Sequence, residues 1–134
     1  MTNADTVRNI YAAFGRGDVP AVLEHLADDV DWEYAYPTDH DVPWLTRRRG
    51  RDGAVGFFQS VAADLEFTRF EVNHVVGDGP VVIALASWEA RLKANLKVIQ
   101  EVEQPQIWHF DARGRVIRFR HAADTLQHHR ALQP

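Results

Sequence analysis

The chain has 134 residues, with 15 Lys and Arg against 19 Asp and Glu and a formal net charge of -4. This length predicts one domain, residues 1–134. The excess of acidic residues argues against nucleic acid as a partner. The absence of cysteine excludes disulfides, thiolate nucleophiles and iron–sulfur clusters. No apolar run reaches the roughly 18 residues of a membrane span, and the N-terminus has no signal-peptide pattern, so we expect a cytoplasmic protein without a membrane partner.

Two helices are predicted at the start of the chain. The apolar stripe of the first consists of Val7, Ile10, Tyr11 and Phe14. The residues that can cap its start are Asn3, Asp5 and Thr6. We expect it to end at residues 15–17, where two glycines favour a C-cap. A shorter helix then begins at Asp18, with Pro20 in its first turn, and ends at residues 27–29.

An aromatic strand, a loop and a third helix follow. Residues 30–36 alternate, with Trp32, Tyr34 and Tyr36 on one side, which is typical of a strand. Alternation turns Glu33 to the opposite side, toward solvent or a dimer interface. A loop covers residues 37–50, and the third helix opens at Asp52.

Four strands are predicted for the rest of the chain, over residues 67–76, 81–92, 96–110 and 116–122, with turns at residues 77–80 and 111–114. Pro105 indicates a bulge or an edge in the third of them. Asp124 and Thr125 can cap a last helical turn. Three helices followed by an antiparallel meander predict an α+β fold with the helices on one face of the sheet.

Five segments carry a resemblance that spans nearly the whole chain. They are YAAFGRGD at residues 11–18, LADDVDW at 26–32, GRDGAVGFF at 50–58, WHFDARGRV at 108–116 and RHAADT at 120–125. In this order and spacing they resemble the nuclear transport factor 2-like (NTF2-like) superfamily, and within it the SnoaL-like group related to ketosteroid isomerase. The resemblance implies a cone in which three N-terminal helices and a curved antiparallel sheet enclose a pocket.

The resemblance leaves the activity open. The superfamily holds isomerases, polyketide cyclases, dehydratases, epoxide hydrolases and binding modules, and its members commonly pair sheet to sheet as homodimers. Fold alone therefore does not give function, and the pocket residues must decide.

Three positions of ketosteroid isomerase have counterparts here, and each has a different residue. The position of its Asp base falls at Tyr34, that of its acidic oxyanion group at Gln106, and that of its first-helix Tyr near Ile10, with Tyr11 one step away. Proton removal by an Asp is therefore not expected. Tyr34 can donate a hydrogen bond or simply line the pocket, and Gln106 can donate to a carbonyl or only satisfy strand backbone.

His121 and Asp124 are the candidate acid–base residues near the C-terminus. His121 shares a strand face with Phe119, so it can titrate at a pocket wall or be a hydrogen-bonded core residue. Asp124 lies nearest to the late carboxylate of SnoaL-like cyclases, but helix capping is the favoured interpretation. An epoxide hydrolase would need Arg118, Arg120 and Asp124 to face inward, which the alternation does not predict.

Large apolar side chains are candidates for holding a flat hydrophobic ligand, although core packing or a dimer interface would use the same residue types. The candidate ligand-binding residues are Trp32, Tyr36, Trp44, Phe58, Trp88, Trp108 and Phe119. Asp39, His40 and Asp41 lack a second cluster, so no metal site is expected. The arginines at 47–49 and 51 form either a solvated loop or an anion contact at the pocket mouth.

The leading hypothesis is a SnoaL-like enzyme without a cofactor that transfers a proton on a small hydrophobic carbonyl compound, in an isomerisation, cyclisation or dehydration. His121 would move the proton, and Tyr34 and Gln106 would hold the developing enolate oxygen. The alternative is non-catalytic binding of a hydrophobic small molecule, or a dimeric interaction module. In both cases we expect a homodimer.

Overall fold

The computed structural model describes residues 1–134. Its helices are α1 Asn3–Gly15, α2 Val19–Leu23, α3 Gly50–Asp64 and α4 Thr125–Ala131. Its strands are β1 Leu26–Trp32, β2 Arg48–Arg49, β3 Leu65–Asp78, β4 Val81–Leu92, β5 Val98–Phe110 and β6 Val116–His121. A single 3-10 turn spans Pro43–Leu45. None of the helices combines the length and the apolar character needed to cross a membrane.

The first two helices form where the sequence pattern predicts them, but α2 ends at Leu23 instead of residues 27–29, because Leu26 is already the first residue of β1. A capping box opens α1: the Asp5 N–H donates to the Thr2 hydroxyl at 3.1 Å, and the Thr2 N–H donates to the Asp5 carboxylate at 3.0 Å. The cap is thus Thr2 rather than one of the three predicted residues, because the helix begins earlier than its apolar stripe. Asp18 caps α2 as predicted, accepting from the Ala21 N–H at 3.2 Å.

The first strand lies four residues before its predicted position. β1 covers Leu26–Trp32 instead of residues 30–36, because Leu26 pairs with Val116 and Trp32 with Phe119 on β6. The strand ends at Trp32, because the next residue, Glu33, has a φ of 57° in the left-handed region, which breaks the extended backbone. The alternation predicted through Tyr36 is therefore wrong from Glu33 onward.

Six strands form one open sheet in the order β2-β1-β6-β5-β4-β3. Strands β3 to β6 form the predicted antiparallel meander. β1 runs parallel to β6 and antiparallel to β2, so the sheet is mixed rather than wholly antiparallel. α1 and α3 pack against the sheet, which confirms the predicted α+β class.

A bulge in β5 determines which of its side chains face inward. Trp88 pairs with Glu101 and Ala86 with Gln104, so one residue of β4 lies opposite two of β5, and Glu103 has a φ of 48°. The irregularity predicted at Pro105 is present, two residues earlier. Without it, Glu101 and Gln104 would point to opposite faces, yet both are buried, at 8% and 2% exposure.

Aromatic side chains connect the helices to the sheet. The ring of Phe119 on β6 lies 4.4 Å from Trp32 on β1 and 4.2 Å from Trp108 on β5. Phe57 of α3 packs 5.2 Å from Trp32. Burial of such rings is a large apolar contribution to stability, and this cluster forms one wall of the cavity described next.

Candidate functional site

A cavity that is partly open to solvent lies between the helices and the sheet. Sixteen of its 20 lining residues are hydrophobic, so its walls suit a small apolar ligand. Six of the seven predicted ligand-binding residues line it, namely Trp32, Trp44, Phe58, Trp88, Trp108 and Phe119.

Tyr36 is the exception among the predicted ligand-binding residues, because it does not line the cavity. Its hydroxyl donates to the His121 carbonyl at 2.6 Å and accepts from the Ala123 N–H at 2.9 Å. Tyr36 therefore fixes the backbone at the end of β6 instead of facing a ligand. The prediction failed because β1 ends before Tyr36 and the alternation no longer applies.

His121 faces the cavity from the end of β6, on the same side as Phe119, as the strand alternation predicted. Its Nδ1 contacts Oε1 of Glu33, and its backbone N–H lies 3.3 Å from both oxygens of the same carboxylate. Its Nε2 has no hydrogen-bond partner in the protein. The rings of Phe119 and Phe57 pack against the imidazole at 4.6 and 5.5 Å, so the ring is held in place and one nitrogen is left open.

Glu33 is the most important residue that sequence reasoning misplaced. We expected it at the solvent or at a dimer interface, but it is 0% exposed and pairs with His121. The reason is the left-handed backbone at Glu33, which ends β1 and turns the side chain inward. Glutamate rarely adopts this conformation, so no local sequence signal marks it.

A chain of hydrogen bonds runs along the sheet side of the cavity. The Trp108 indole N–H donates to the Tyr11 hydroxyl at 3.1 Å, and that hydroxyl donates to Oε1 of Gln106 at 2.5 Å. The Gln106 amide then donates to Oε1 of Gln104 at 2.8 Å, and the Gln104 amide to Glu101 at 2.8 Å. Every donor in the chain points toward Glu101.

Donor-only groups fix the direction of this chain. An indole N–H cannot accept a hydrogen bond, so Trp108 forces the Tyr11 proton toward Gln106 and thereby orients the Gln106 amide. Burial raises the pKa of the Tyr11 phenol above its ordinary value of 10.0, which keeps that proton in place. Gln106 lines the cavity as predicted, and one of its two amide N–H groups has no partner.

A second histidine, His128 on α4, also lines the cavity. Its Nδ1 accepts from the Trp44 indole at 3.0 Å, and its Nε2 lies 2.9 Å from Glu101. Because Trp44 can only donate, the ring is the neutral tautomer that carries its proton on Nε2. Neither His128 nor Glu101 was predicted as a site residue. His128 shares a helix face with the buried Ala131, which is a signal that could have identified it. Glu101 could not be placed by strand alternation, because the β5 bulge follows it.

Tyr34 lies outside the cavity and does not meet Gln106 or His121. Its hydroxyl is 2.8 Å from Nε2 of His109, and the Arg118 guanidinium lies 4.9 Å from its ring centre. Burial, and then the charge of Arg118, lower the pKa of His109. The predicted grouping of Tyr34 with the catalytic residues is therefore wrong, because the turn at Glu33 sends Tyr34 to the other side of the sheet.

Asp124 adopts the favoured capping role. Its carboxylate accepts from the Gln127 N–H at 3.2 Å at the start of α4, and its own N–H donates to Glu101 at 2.9 Å. Arg118 and Arg120 also lie outside the cavity lining. The inward arrangement that an epoxide hydrolase would need is not formed.

Arginines at 47–49 and 51 make hydrogen bonds and ion pairs within the protein. Arg47 binds Asp31 through two hydrogen bonds of 3.0 and 2.6 Å, and these bonds are the main reason that the pKa of Asp31 is lowered. Arg51 donates to the Leu26 carbonyl at 2.9 and 3.1 Å. None of the four arginines lines the cavity, so the alternative of an anion contact at the mouth is not supported.

Comparison with known families and structures agrees with this architecture. The family model described as a SnoaL-like domain matches residues 7–126. No curated protein matches the chain by sequence.

Solved structures share the fold over their full length. An NTF2-like protein of unknown function from Burkholderia pseudomallei K96243 is 27% identical, with a TM-score of 0.83 and 100% of both chains covered. TerC, co-crystallised with polyporic acid, is 19% identical, with a TM-score of 0.79 and 96% of both chains covered. A candidate polyketide cyclase from Pseudomonas putida KT2440 is 19% identical, with a TM-score of 0.74 and 99% of both chains covered.

Proposed function

This chain belongs to the SnoaL-like domain family, and we propose that it catalyses proton transfer on a small hydrophobic carbonyl compound without a cofactor. The observation that carries the proposal is the His121–Glu33 pair, a cavity-facing imidazole whose Nδ1 contacts a fully buried carboxylate. Isomerisation, cyclisation and dehydration next to a carbonyl all need such a proton carrier.

In this mechanism Glu33 sets the protonation state of His121. A buried carboxylate accepts the Nδ1 proton, so the lone pair of Nε2 faces the substrate and can take a proton from the carbon next to the carbonyl. The carboxylate also stabilises the imidazolium that forms. His121 can then return the proton at a second position, which completes an isomerisation or assists the loss of a hydroxyl group.

Gln106 is the candidate donor to the substrate oxygen. Its Oε1 is occupied by Tyr11 at 2.5 Å and one of its amide protons by Gln104 at 2.8 Å. The second amide proton is therefore free to donate to the oxygen on which negative charge develops. A donor that is already oriented in an apolar cavity stabilises such a charge well, because little reorganisation is needed.

The neighbours are consistent with this chemistry without identifying the substrate. They include a candidate polyketide cyclase from Pseudomonas putida, a candidate isomerase from Rhodopseudomonas palustris, and TerC with polyporic acid. By analogy, the ligand of this chain would be a ring compound that bears carbonyl oxygen.

Deuterium exchange tests the proposal without knowledge of the natural substrate. The probe is 2-tetralone in D₂O near neutral pH, whose protons next to the carbonyl exchange by the same step and are followed by NMR. The wild-type protein should accelerate the exchange, and His121→Asn should slow it by roughly 10³-fold. His74→Asn, at an exposed position of β3, is the matched control. An unchanged rate in His121→Asn would contradict the proposal.

The second candidate is ligand binding without turnover. It is favoured by the hydrophobic lining, 16 of 20 residues, and by the hydrogen-bond chain, in which most polar groups already have partners. Binding of 2-tetralone with no acceleration of its exchange would favour this function over catalysis.

We also propose that the protein is a homodimer that pairs through the outer face of the sheet. Val76, Ile83 and Ile107 lie side by side across β3, β4 and β5 on the face opposite the cavity, and Val76 is 64% exposed. Such an apolar row is typical of an interface. Sedimentation velocity should give a dimer that Ile83→Lys dissociates, whereas Leu96→Lys, in the exposed β4–β5 turn, should not. A monomeric wild-type protein would contradict this assembly.

A further inference from the structure

No Asp, Glu, Lys or Arg side chain lines the cavity. Two carboxylates, those of Glu33 and Glu101, contact residues that do line it. Glu101 is 2.8 Å from the Gln104 amide and 2.9 Å from Nε2 of His128. Glu33 contacts His121. Gln104, His128 and His121 all line the cavity, so a ligand would be separated from each carboxylate by a single side chain.

The charge of Glu101 has no cation beside it. Oε2 of Glu101 accepts three N–H groups, from Gln104, His128 and the backbone of Asp124, which is the hydrogen-bond pattern of an ionised carboxylate. His128 is neutral, because its Nδ1 accepts from Trp44 at 3.0 Å. The group therefore has three donors and a full negative charge, in surroundings where charges act strongly.

Basic side chains do not offset this charge inside the cavity, because no Lys or Arg lines it. Arg120 lies on the other face of β6, with its guanidinium 5.9 Å from the ring centre of Tyr36. Burial is the main reason that the pKa of the Tyr36 hydroxyl is raised. The hydrogen bond from Ala123 and the charge of Arg120 lower this pKa, and the charges of Glu33 and Glu101 raise it.

We propose that the cavity selects uncharged ligands over carboxylates and other anions, and that Glu101 is a specificity-determining residue. This rests on the proposed function and narrows its substrate class to neutral ketones, aldehydes or amide-like carbonyls. The unpartnered amide proton of Gln106 suits a neutral carbonyl oxygen. A ligand oxygen that is already anionic when it binds at the same place would lie close to Glu101 and Glu33, with no cation to balance the repulsion. The enolate oxygen of the proposed reaction differs, because its charge develops together with the positive charge on His121.

Two ligands that differ only in charge test the proposal. The probes are 2-naphthamide and 2-naphthoate, which have the same ring and nearly the same shape, measured by calorimetry at pH 7.5. The wild-type protein should bind the amide at least about tenfold more tightly, which corresponds to about 1.4 kcal/mol. Equal or tighter binding of naphthoate would overturn the proposal.

Glu101→Gln then tests the residue assigned to the selection. This substitution removes the charge and keeps an acceptor for its donors. Naphthoate binding should therefore improve, and the ratio of the naphthoate and naphthamide dissociation constants should fall at least about threefold. Glu24→Gln, at an exposed position, changes the net charge equally and should leave this ratio unchanged. A ratio that is the same in Glu101→Gln and in the wild-type protein would refute the role of Glu101.

A third ligand keeps the test valid if Glu101→Gln does not fold. In the wild-type protein, 2-naphthylmethylammonium should bind more tightly than 2-naphthoate, and the reverse order would contradict the proposal. Failure here is separate from failure of the proposed function, because selection is measured by binding. His121→Asn should lose deuterium exchange of 2-tetralone and keep the preference for the amide.

Discussion

The His121–Glu33 and His128–Glu101 pairs lie at one cavity, and each joins an imidazole to a buried carboxylate. Their difference lies in the second ring nitrogen. In His121 it has no partner in the protein, whereas in His128 it accepts from the Trp44 indole at 3.0 Å. The first pair can exchange a proton with a ligand, and the second can do so only by breaking a hydrogen bond that holds Trp44.

The difference also concerns where each pair is anchored. Glu101 ends a chain of donors that begins at Trp108, so His128 belongs to a network that ties α4, β5 and the 3-10 turn together. The Glu33 carboxylate bonds only to His121. The same pair of residue types is thus suited to a structural role in His128–Glu101 and to the proposed proton transfer in His121–Glu33.

Neutralising one carboxylate at a time should separate the two pairs most strongly. Glu33→Gln removes the acceptor that fixes the His121 tautomer, so deuterium exchange of 2-tetralone should slow by roughly 10³-fold. Glu101→Gln should stay within about tenfold of the wild-type rate, because it acts on binding rather than on His121. Equal losses in both variants would break the comparison.

Stability should depend more on the His128–Glu101 pair than on the His121–Glu33 pair, which is the opposite of the order expected for the exchange rates. His128 is 1% exposed and has partners on both nitrogens, so His128→Ala should lower the free energy of unfolding by about 3 kcal/mol. His121 is more exposed, at 15%, and His121→Ala should cost less. Urea unfolding measures both, and a larger cost for His121→Ala would contradict the structural role of His128.

A third histidine sharpens the comparison because it has no carboxylate partner. Burial, and then Arg118, hold the pKa of His109 below its ordinary value of 6.5. The unfolded chain therefore binds a proton at this residue more readily than the folded protein, so stability is lost as pH falls below about 6.5. The smallest of the three effects is expected here: His109→Gln should flatten this part of the stability profile. An unchanged slope would show that His109 does not contribute.

The sequence predicts the architecture well because its signals are local and repeated. Apolar spacing places α1, Asp18 marks the start of α2, and the turns at residues 77–80 and 111–114 define the meander. Strand alternation also places Phe119 and His121 correctly, because the pairing of β6 with β5 is regular from Arg118 to His121.

The candidate site is harder to predict because its acidic residues lie at breaks in that regularity. Glu33 occupies a left-handed turn, and Glu101 precedes the bulge at Glu103. In each case the alternation reverses within a residue or two, and no pattern in the sequence indicates the reversal. Tyr34 and Tyr36 were misplaced by the same turn that brings Glu33 inward.

The protonation of the two imidazoles tests this account most directly. Nitrogen-15 NMR at neutral pH distinguishes the tautomers of each ring through their nitrogen shifts. The structure predicts that His121 carries its proton on Nδ1 and leaves Nε2 bare, whereas His128 carries its proton on Nε2. The opposite tautomer at His121, with Nδ1 bare, would contradict the assignment of His121 as the proton carrier oriented by Glu33.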